Sequence, residues 1–246
     1  GVIDGILARR TSVATNVYNV VKAAGEKPVI FMGDRDDHFT QQSGDGYAAH
    51  IGGSTAQATH AMNEWWGKKG MGTMPHALIQ LFNGDVVAAT KAYKETFPED
   101  DLIVLVDYNN DVITDALKVA REYGTELKGV RVDTSKTMID QYFIRNQDVL
   151  GTFDPRGVNA PLIFALRKAL DEEGFQHVKI VVSGGFNETR IKEFEEQKVP
   201  VDIYGVGSSL LKIHVGFTGD NVMLDGKPQA KAGRKYRFNP RLEKVD

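Results

Sequence analysis

From Ile6 to Ala24 the apolar positions return at helical spacing, and Gly25 followed by Pro28 closes the segment as a helix stop does. Pro28-Val29-Ile30-Phe31-Met32 reads as a short buried strand opening into a polar functional loop from Gly33 to Gly46. Small residues Gly52, Gly53, Ser54, Thr55 and Ala56 precede a helix predicted through Trp65. Ser54 or Thr55 would cap it and leave N–H groups open to an anion. Helical patterns follow from Ala77 to Phe82 and from Asp85 to Phe97.

The second half has a plainer rhythm. Buried strands are predicted at Leu102 to Asp107, Gly129 to Asp133, Val178 to Ser183 and Val201 to Gly205. Between and around them, helical periodicity covers Asp111 to Tyr123, Ser135 to Leu150, Asn159 to Glu173 and Glu188 to Glu196. Alternation of this kind predicts parallel strands, in a barrel or an open α/β sheet. Each strand runs into a polar or glycine-rich turn, and in such folds ligands bind at the carboxyl ends of the strands. Beyond Gly219 short strands and turns are predicted, with a hairpin at Leu224-Asp225-Gly226-Lys227. The whole of 1–246 reads as one α/β-barrel domain with a short β-rich carboxyl-terminal extension.

Composition agrees with that picture and narrows the partners. A chain of 246 residues, 41% hydrophobic, is long enough for one large α/β core. A formal net charge of −3 gives no broad attraction to nucleic acid or anionic lipid, so the partner is expected to be a small molecule. The absence of cysteine removes disulfides and thiolate metal sites and makes the cytoplasm the expected location. No apolar run approaches the roughly eighteen residues that span a bilayer, and no signal core opens the chain, so no membrane role is expected. The chain opens at Gly1, without Met, inside a periodic segment, and is expected to be part of a longer protein.

The strongest chemical signal is the pair of consecutive turns Ser183-Gly184-Gly185 and Gly205-Val206-Gly207-Ser208-Ser209. Glycine lets backbone approach a phosphate, helix-start N–H groups donate to its oxygens, and barrels often build this site from their last two βα loops. Tight turns without a ligand are the alternative. Asp107 and Asp133 sit at strand ends, and Arg131 shares a side of its strand with Asp133. Such carboxylates suit ribose hydroxyls or a magnesium ion carrying a diphosphate, and the arginine suits phosphate or carboxylate. A structural ion pair is the alternative there.

Arg35 lies in the loop after the first strand. His76 ends Gly72-Thr73-Met74-Pro75-His76; taken alone, such a histidine is more often packed or capped than functional. His38, His50, His60, His177 and His214 show neither HExxH spacing nor a carboxylate cluster that makes a metal site compelling. Ser208 and Ser209 lack a GxSxG elbow, which argues against a hydrolase triad. Gly205-Val206-Gly207 is a fragment of a dinucleotide fingerprint and comes too late in the chain for a Rossmann reading.

In their order, Ile6-Leu7-Ala8-Arg9-Arg10-Thr11-Ser12-Val13-Ala14-Thr15-Asn16, Gly44-Asp45-Gly46, Gly72-Thr73-Met74-Pro75-His76, Val130-Arg131-Val132-Asp133, Ser183-Gly184-Gly185-Phe186 and Gly205-Val206-Gly207-Ser208 resemble the nicotinate phosphoribosyltransferase family. The resemblance extends to Gly233-Arg234-Lys235 and Asn239-Pro240-Arg241-Leu242 and lacks only that family's amino-terminal region. It implies a parallel (β/α) barrel-like type II phosphoribosyltransferase fold, here incomplete. The implied reaction joins nicotinate to phosphoribosyl pyrophosphate, releasing pyrophosphate and nicotinate mononucleotide in NAD salvage, coupled to ATP hydrolysis with magnesium. A cytoplasmic homodimer with a shared site is implied as well.

Residue by residue, the resemblance makes His76 the histidine phosphorylated from ATP, and Arg35 a contact to substrate phosphate or nicotinate. Ser54 and Thr55 fall near the base pocket. Asp107 and Asp133 become ribose- and magnesium-side acids, Arg131 a substrate-binding arginine, and Ser183, Gly184, Gly185, Gly205, Gly207 and Ser208 the 5′-phosphate cradle. Three departures bear on the base: Asp36 replaces a second arginine, Gly52 stands where an acid is frequent, and Thr134-Ser135-Lys136 replaces Ser-Gly-Asp. Losing a cation at Asp36 makes nicotinamide an alternative base, with Arg9 or Arg10 as substitute charges for a carboxylate-bearing one; a quinolinate phosphoribosyltransferase is a further alternative. A phosphate-binding aldolase or isomerase barrel would need a lysine or glutamate at a strand end, and none is evident. An inactive folded fragment is the non-enzymatic reading.

Overall fold

In the computed structural model residues 1–243 are described; residues 244–246, the end of the expected domain, lie outside the described residues. Helix α1 (Val2–Ala24) buries Val13, Val17 and Val20 and leads into strand β1 (Val29–Phe31). Helix α2 (Gln42–Ile51), strand β2 (Ala56–Gln57), helix α3 (His60–Asn63) and helix α4 (His76–Leu81) follow. Helix α5 (Val86–Thr96) starts where Asp85 accepts hydrogen bonds from Val87 N and Ala88 N. Then come β3 (Leu102–Leu105), α6 (Val112–Tyr123), β4 (Leu127–Val132), α7 (Gln141–Arg145), α8 (Ala160–Glu172), β5 (Lys179–Val182), α9 (Glu188–Glu196) and β6 (Ile203–Val206).

The six strands form one parallel sheet in the order β2-β1-β6-β5-β4-β3. It curls into part of a barrel, as the βαβ rhythm predicts. Its strands are apolar and mostly buried, since helices cover the outside and side chains fill the inside. The segment before α4 borders the open side: Met71 N and Gly72 N donate to Gln57 O and Ala58 O at the end of β2. Helix α1 is tied to the chain after β6, with Asn16 Nδ2 donating to Leu210 O and Lys212 O.

Two predicted helices are corrected. Ser54 and Thr55 lead into β2 instead of capping a helix, and Thr59 is the residue that caps α3, accepting from Met62 N at 3.2 Å. Ser135 to Leu150 is largely loop, with only the short α7 and a 3₁₀ turn inside it. Its polar side chains bind nearby backbone instead of extending a helix: Asp140 accepts from Tyr142 N and from Val112 N. The hairpin forms as β7 (Met223–Leu224) and β8 (Lys227–Pro228), turning on Asp225 and Gly226, both with positive φ.

Candidate active site at the carboxyl ends of the strands

A cleft of about 450 Å³ opens over the carboxyl ends of the strands. Asp34 and Arg35 reach it from β1, Thr59 from β2, Arg131 and Asp133 from β4, Ser183 to Phe186 from β5, and Gly207 to Ser209 from β6. Pro75 and His76 complete it. The sheet therefore brings together two glycine turns, two arginines, two aspartates and a histidine from distant parts of the chain.

The turn after β5 is built from successive left-handed residues, Gly184 at φ 87° and Gly185 at φ 77°. A Cβ on Gly184 would stand 3.2 Å from both Asp133 O and Thr134 O, so strain and crowding both demand glycine. Among the described residues, neither the Gly184 nor the Gly185 N–H meets a hydrogen-bond acceptor. At Gly207 the demand is close approach: a Cβ there would lie 2.6 Å from Met32 O. Gly205, expected where the strand meets the second turn, lies within β6 and lines the cleft, its bare Cα facing Met32 Sδ so that the cleft floor lies close to the strand.

Arg131, Asp133 and Ser183 form one network. Arg131 Nη2 donates to Met74 O at 2.7 Å, and its Nη1 donates to Ser183 Oγ at 3.1 Å and lies 3.3 Å from Asp133 Oδ2. Ser183 Oγ in turn donates to Asp133 Oδ1 at 2.8 Å. The ion pair that the sequence left as an alternative is thus present, and it faces the cleft.

His76 opens α4, and its Nε2 is 3.0 Å from Asp107 Oδ1. Asp107 is buried behind the histidine, does not line the cleft, and accepts from Thr134 Oγ1 at 3.4 Å. The hydrogen bond to Asp107 raises the His76 pKa above the ordinary imidazole value. Burial opposes the rise, the charges of Asp107 and Asp133 assist it, and Arg131 opposes it. Asp107, expected to reach substrate from its strand end, instead contacts His76 and Thr134 and does not line the cleft.

Ser54 and Thr55, expected near a base pocket, are placed elsewhere. Thr55 N donates to Val29 O at the start of the β1–β2 ladder, and buried Ser54 Oγ accepts from Gln57 Nε2. This is the amino-terminal end of the strands, opposite the cleft, because the segment is strand and not helix. Thr59, at the carboxyl end of β2, was missed for the same reason. Arg9 and Arg10 are committed too: Arg9 Nη2 is 2.7 Å from Asp45 Oδ2 and 2.8 Å from Asp37 Oδ2, and Arg10 pairs with Asp45. Arg35 is exposed at the cleft and has no ion-pair partner among the described residues.

Among the described residues, no three His, Asp or Glu side chains gather into a group fit to hold a metal. Asp107 and Asp133 already serve His76 and the Arg131–Ser183 network. Of these two acids, Asp133 is the one that lines the cleft.

A curled parallel sheet with paired glycine turns and an Arg–Asp pair at its carboxyl end has the architecture of an α/β phosphoribosyltransferase barrel. No protein-family model matches the chain. It is 28% identical over 212 residues to nicotinate phosphoribosyltransferase of Bacillus subtilis, covering 84% of this chain and 38% of that protein. It is 29% identical over 241 residues to nicotinate phosphoribosyltransferase pncB1 of Mycobacterium tuberculosis, covering 94% and 48%. Among solved structures, nicotinate-nucleotide pyrophosphorylase from Pyrococcus furiosus superposes with a TM-score of 0.73 at 33% identity, covering 92% of this chain and 54% of that one. The human nicotinic acid phosphoribosyltransferase, at 19% identity and TM-score 0.54, shares the fold. The chain is a homologue of the nicotinate phosphoribosyltransferases, and it spans less than half the length of these curated relatives.

Proposed function

We propose that this chain carries the phosphoribosyl site of a nicotinate phosphoribosyltransferase that makes nicotinate mononucleotide and pyrophosphate from nicotinate and phosphoribosyl pyrophosphate, coupled to ATP hydrolysis in NAD salvage. The observation that carries the reading is the convergence of both glycine turns, the Arg131–Asp133–Ser183 network and His76 on one cleft. The pyridine nitrogen forms a bond to the anomeric carbon as the bond to pyrophosphate breaks, building positive charge on the ribose and negative charge on the leaving group. Catalysis of that kind needs positioning and charge stabilisation, and no nucleophilic side chain.

In this reading the free N–H groups of the Gly184–Gly185 turn and the backbone at Gly207 and Ser208 hold the 5′-phosphate. Asp133 receives the ribose hydroxyls, Arg35 meets the pyrophosphate or the base carboxylate, and Arg131 braces the site. Magnesium bound to the diphosphate supplies charge neutralisation for the departing oxygens. His76 accepts the phosphoryl group of ATP. The protein works in the cytoplasm as a homodimer that shares its sites.

A second reading, with nicotinamide as the base, has one observation in its favour. Arg9 and Arg10 are neutralised by Asp45 and Asp37, leaving Arg35 as the cation with which to meet a base carboxylate. Incubating the full-length protein with phosphoribosyl pyrophosphate, magnesium, ATP and, in turn, nicotinate, nicotinamide or quinolinate separates the readings by the mononucleotide formed. Product from nicotinate is expected; no mononucleotide from any base would overturn the transferase assignment.

A further inference from the structure

Arg190 stands on the first turn of α9, behind the Gly184–Gly185 turn, and does not line the cleft. Its Nη1 donates to Gly184 O at 2.8 Å and its Nη2 donates to Val158 O, so one planar guanidinium bridges the turn after β5 and the loop before α8. The guanidinium carbon lies 4.3 Å from the centroid of the Phe186 ring, and the Phe194 ring lies 5.7 Å away. Among the described residues it forms no ion pair, and Glu193 is the one acid whose charge acts on it.

These contacts bear on the turn in two ways. A trans peptide plane directs its C=O and the following N–H to opposite sides. Holding Gly184 O back against Arg190 therefore turns the Gly185 N–H forward, toward the cleft that Gly185 lines. Two consecutive glycines would otherwise sample many orientations, so the fork selects one. The second effect is electrostatic. Arginine keeps its charge throughout the working pH range, and a guanidinium without a carboxylate partner leaves that charge to act across the turn.

We propose that Arg190 is the positioning residue of the phosphate cradle: it fixes the Gly184–Gly185 peptide so that its N–H faces a phosphate monoester, and it backs that N–H with a positive charge that no carboxylate pairs directly. The inference rests on the phosphate-cradle reading of the proposed function. A merely structural staple between two loops would instead leave the affinity of the folded protein for phosphate unchanged.

The test is titration calorimetry of ribose 5-phosphate and of nicotinate into the wild-type protein, Arg190→Met and Arg190→Lys. Arg190→Met loses fork and charge and is expected to bind ribose 5-phosphate about 30-fold more weakly, the scale of a lost charge-assisted contact. Arg190→Lys keeps the charge but cannot bridge two carbonyls or stack, and is expected to weaken binding about fivefold. Binding stoichiometry and the nicotinate Kd should stay near wild type, because misfolding lowers the stoichiometry and leaves the Kd of the folded fraction alone. In ¹⁵N-labelled wild-type protein the Gly185 amide resonance should move on adding inorganic phosphate, and this response should shrink in Arg190→Lys. Wild-type affinity in Arg190→Lys, or a loss confined to stoichiometry, would overturn the positioning role while leaving the cradle standing. Failure of the wild-type protein to bind ribose 5-phosphate would overturn the cradle itself, and Arg190's role with it.

Discussion

His76 Nε2 lies 3.0 Å from Asp107 Oδ1, and that contact decides which side of the imidazole is free. The carboxylate can only accept, so it holds the proton on Nε2 and leaves the lone pair on Nδ1. If His76 takes a phosphoryl group from ATP, the group is expected on Nδ1. Phosphorus–nitrogen coupling in ¹⁵N-labelled protein distinguishes the two isomers, and a phosphate on Nε2 would sink the assignment. His76→Ala should abolish ATP coupling while leaving residual transfer, a result read from the ATP consumed per mononucleotide formed.

The same pair predicts a pH dependence. Neutral imidazole is the nucleophile, so phosphorylation should rise with pH through the raised pKa of His76. Asp107→Asn removes the charge that raises it, and the midpoint of the pH–rate profile should move toward the acid side. For stability the sign is the reverse. A group whose folded pKa is raised contributes stability that is fully present below its unfolded pKa, about 6.5, and is lost as pH rises through the folded value. Urea midpoints of the wild type and His76→Gln should therefore differ most in acid and converge in base; a difference that grows with pH would contradict the pairing.

Arg131 spans the network with a fork that an ammonium cannot reproduce. Its Nη2 holds Met74 O while its Nη1 serves Ser183 and Asp133. Arg131→Lys is expected to lose at least one of these contacts and about 1–3 kcal/mol of stability. Chemical denaturation measures it, and an unchanged midpoint would show that lysine spans both sides.

How far the sequence predicted this site depended on which interactions decide each segment. Ser183-Gly184-Gly185 was legible because consecutive glycines after an apolar strand have few other uses, and because strand ends of a parallel sheet converge. Asp133 and Arg131 were legible as a pair through their two-residue spacing. Ser54 and Thr55 were misplaced because the two-residue strand β2 is held by parallel pairing to β1, a long-range contact with no local periodicity. Arg190 went unseen since helical spacing says nothing of a side chain reaching back to Gly184 O.

Gly184→Val is expected to weaken phosphoribosyl pyrophosphate binding. The valine Cβ would meet Asp133 O and Thr134 O at 3.2 Å, in a conformation at φ 87° that β-branched residues avoid. Backbone on the β4 side cannot yield as a flexible side chain would, so the turn itself must move. Titration calorimetry should show the loss in Kd, and unaltered affinity would remove this turn from the cradle.

The Gly44-Asp45-Gly46 segment explains itself once α1 and α2 are docked. Asp45 is only 2% exposed and holds both Arg9 and Arg10. Its flanking glycines make room: a Cβ on Gly44 would collide with the Arg10 guanidinium, and one on Gly46 with Met62 O. Asp45→Asn would leave two partly buried arginines sharing a neutral amide. Removing one member of a pair costs about 3–5 kcal/mol when both partners are buried and under about 1 when both are exposed; Asp45 is buried and its arginines only partly, so a loss above the exposed figure is expected. Thermal denaturation of Asp45→Asn should show that loss, and Gly46→Ala should also destabilise by forcing α2 off α3. A melting temperature within the range of surface substitutions for Asp45→Asn would mean that the two arginines remain solvated, and would return them as cations available to a base carboxylate.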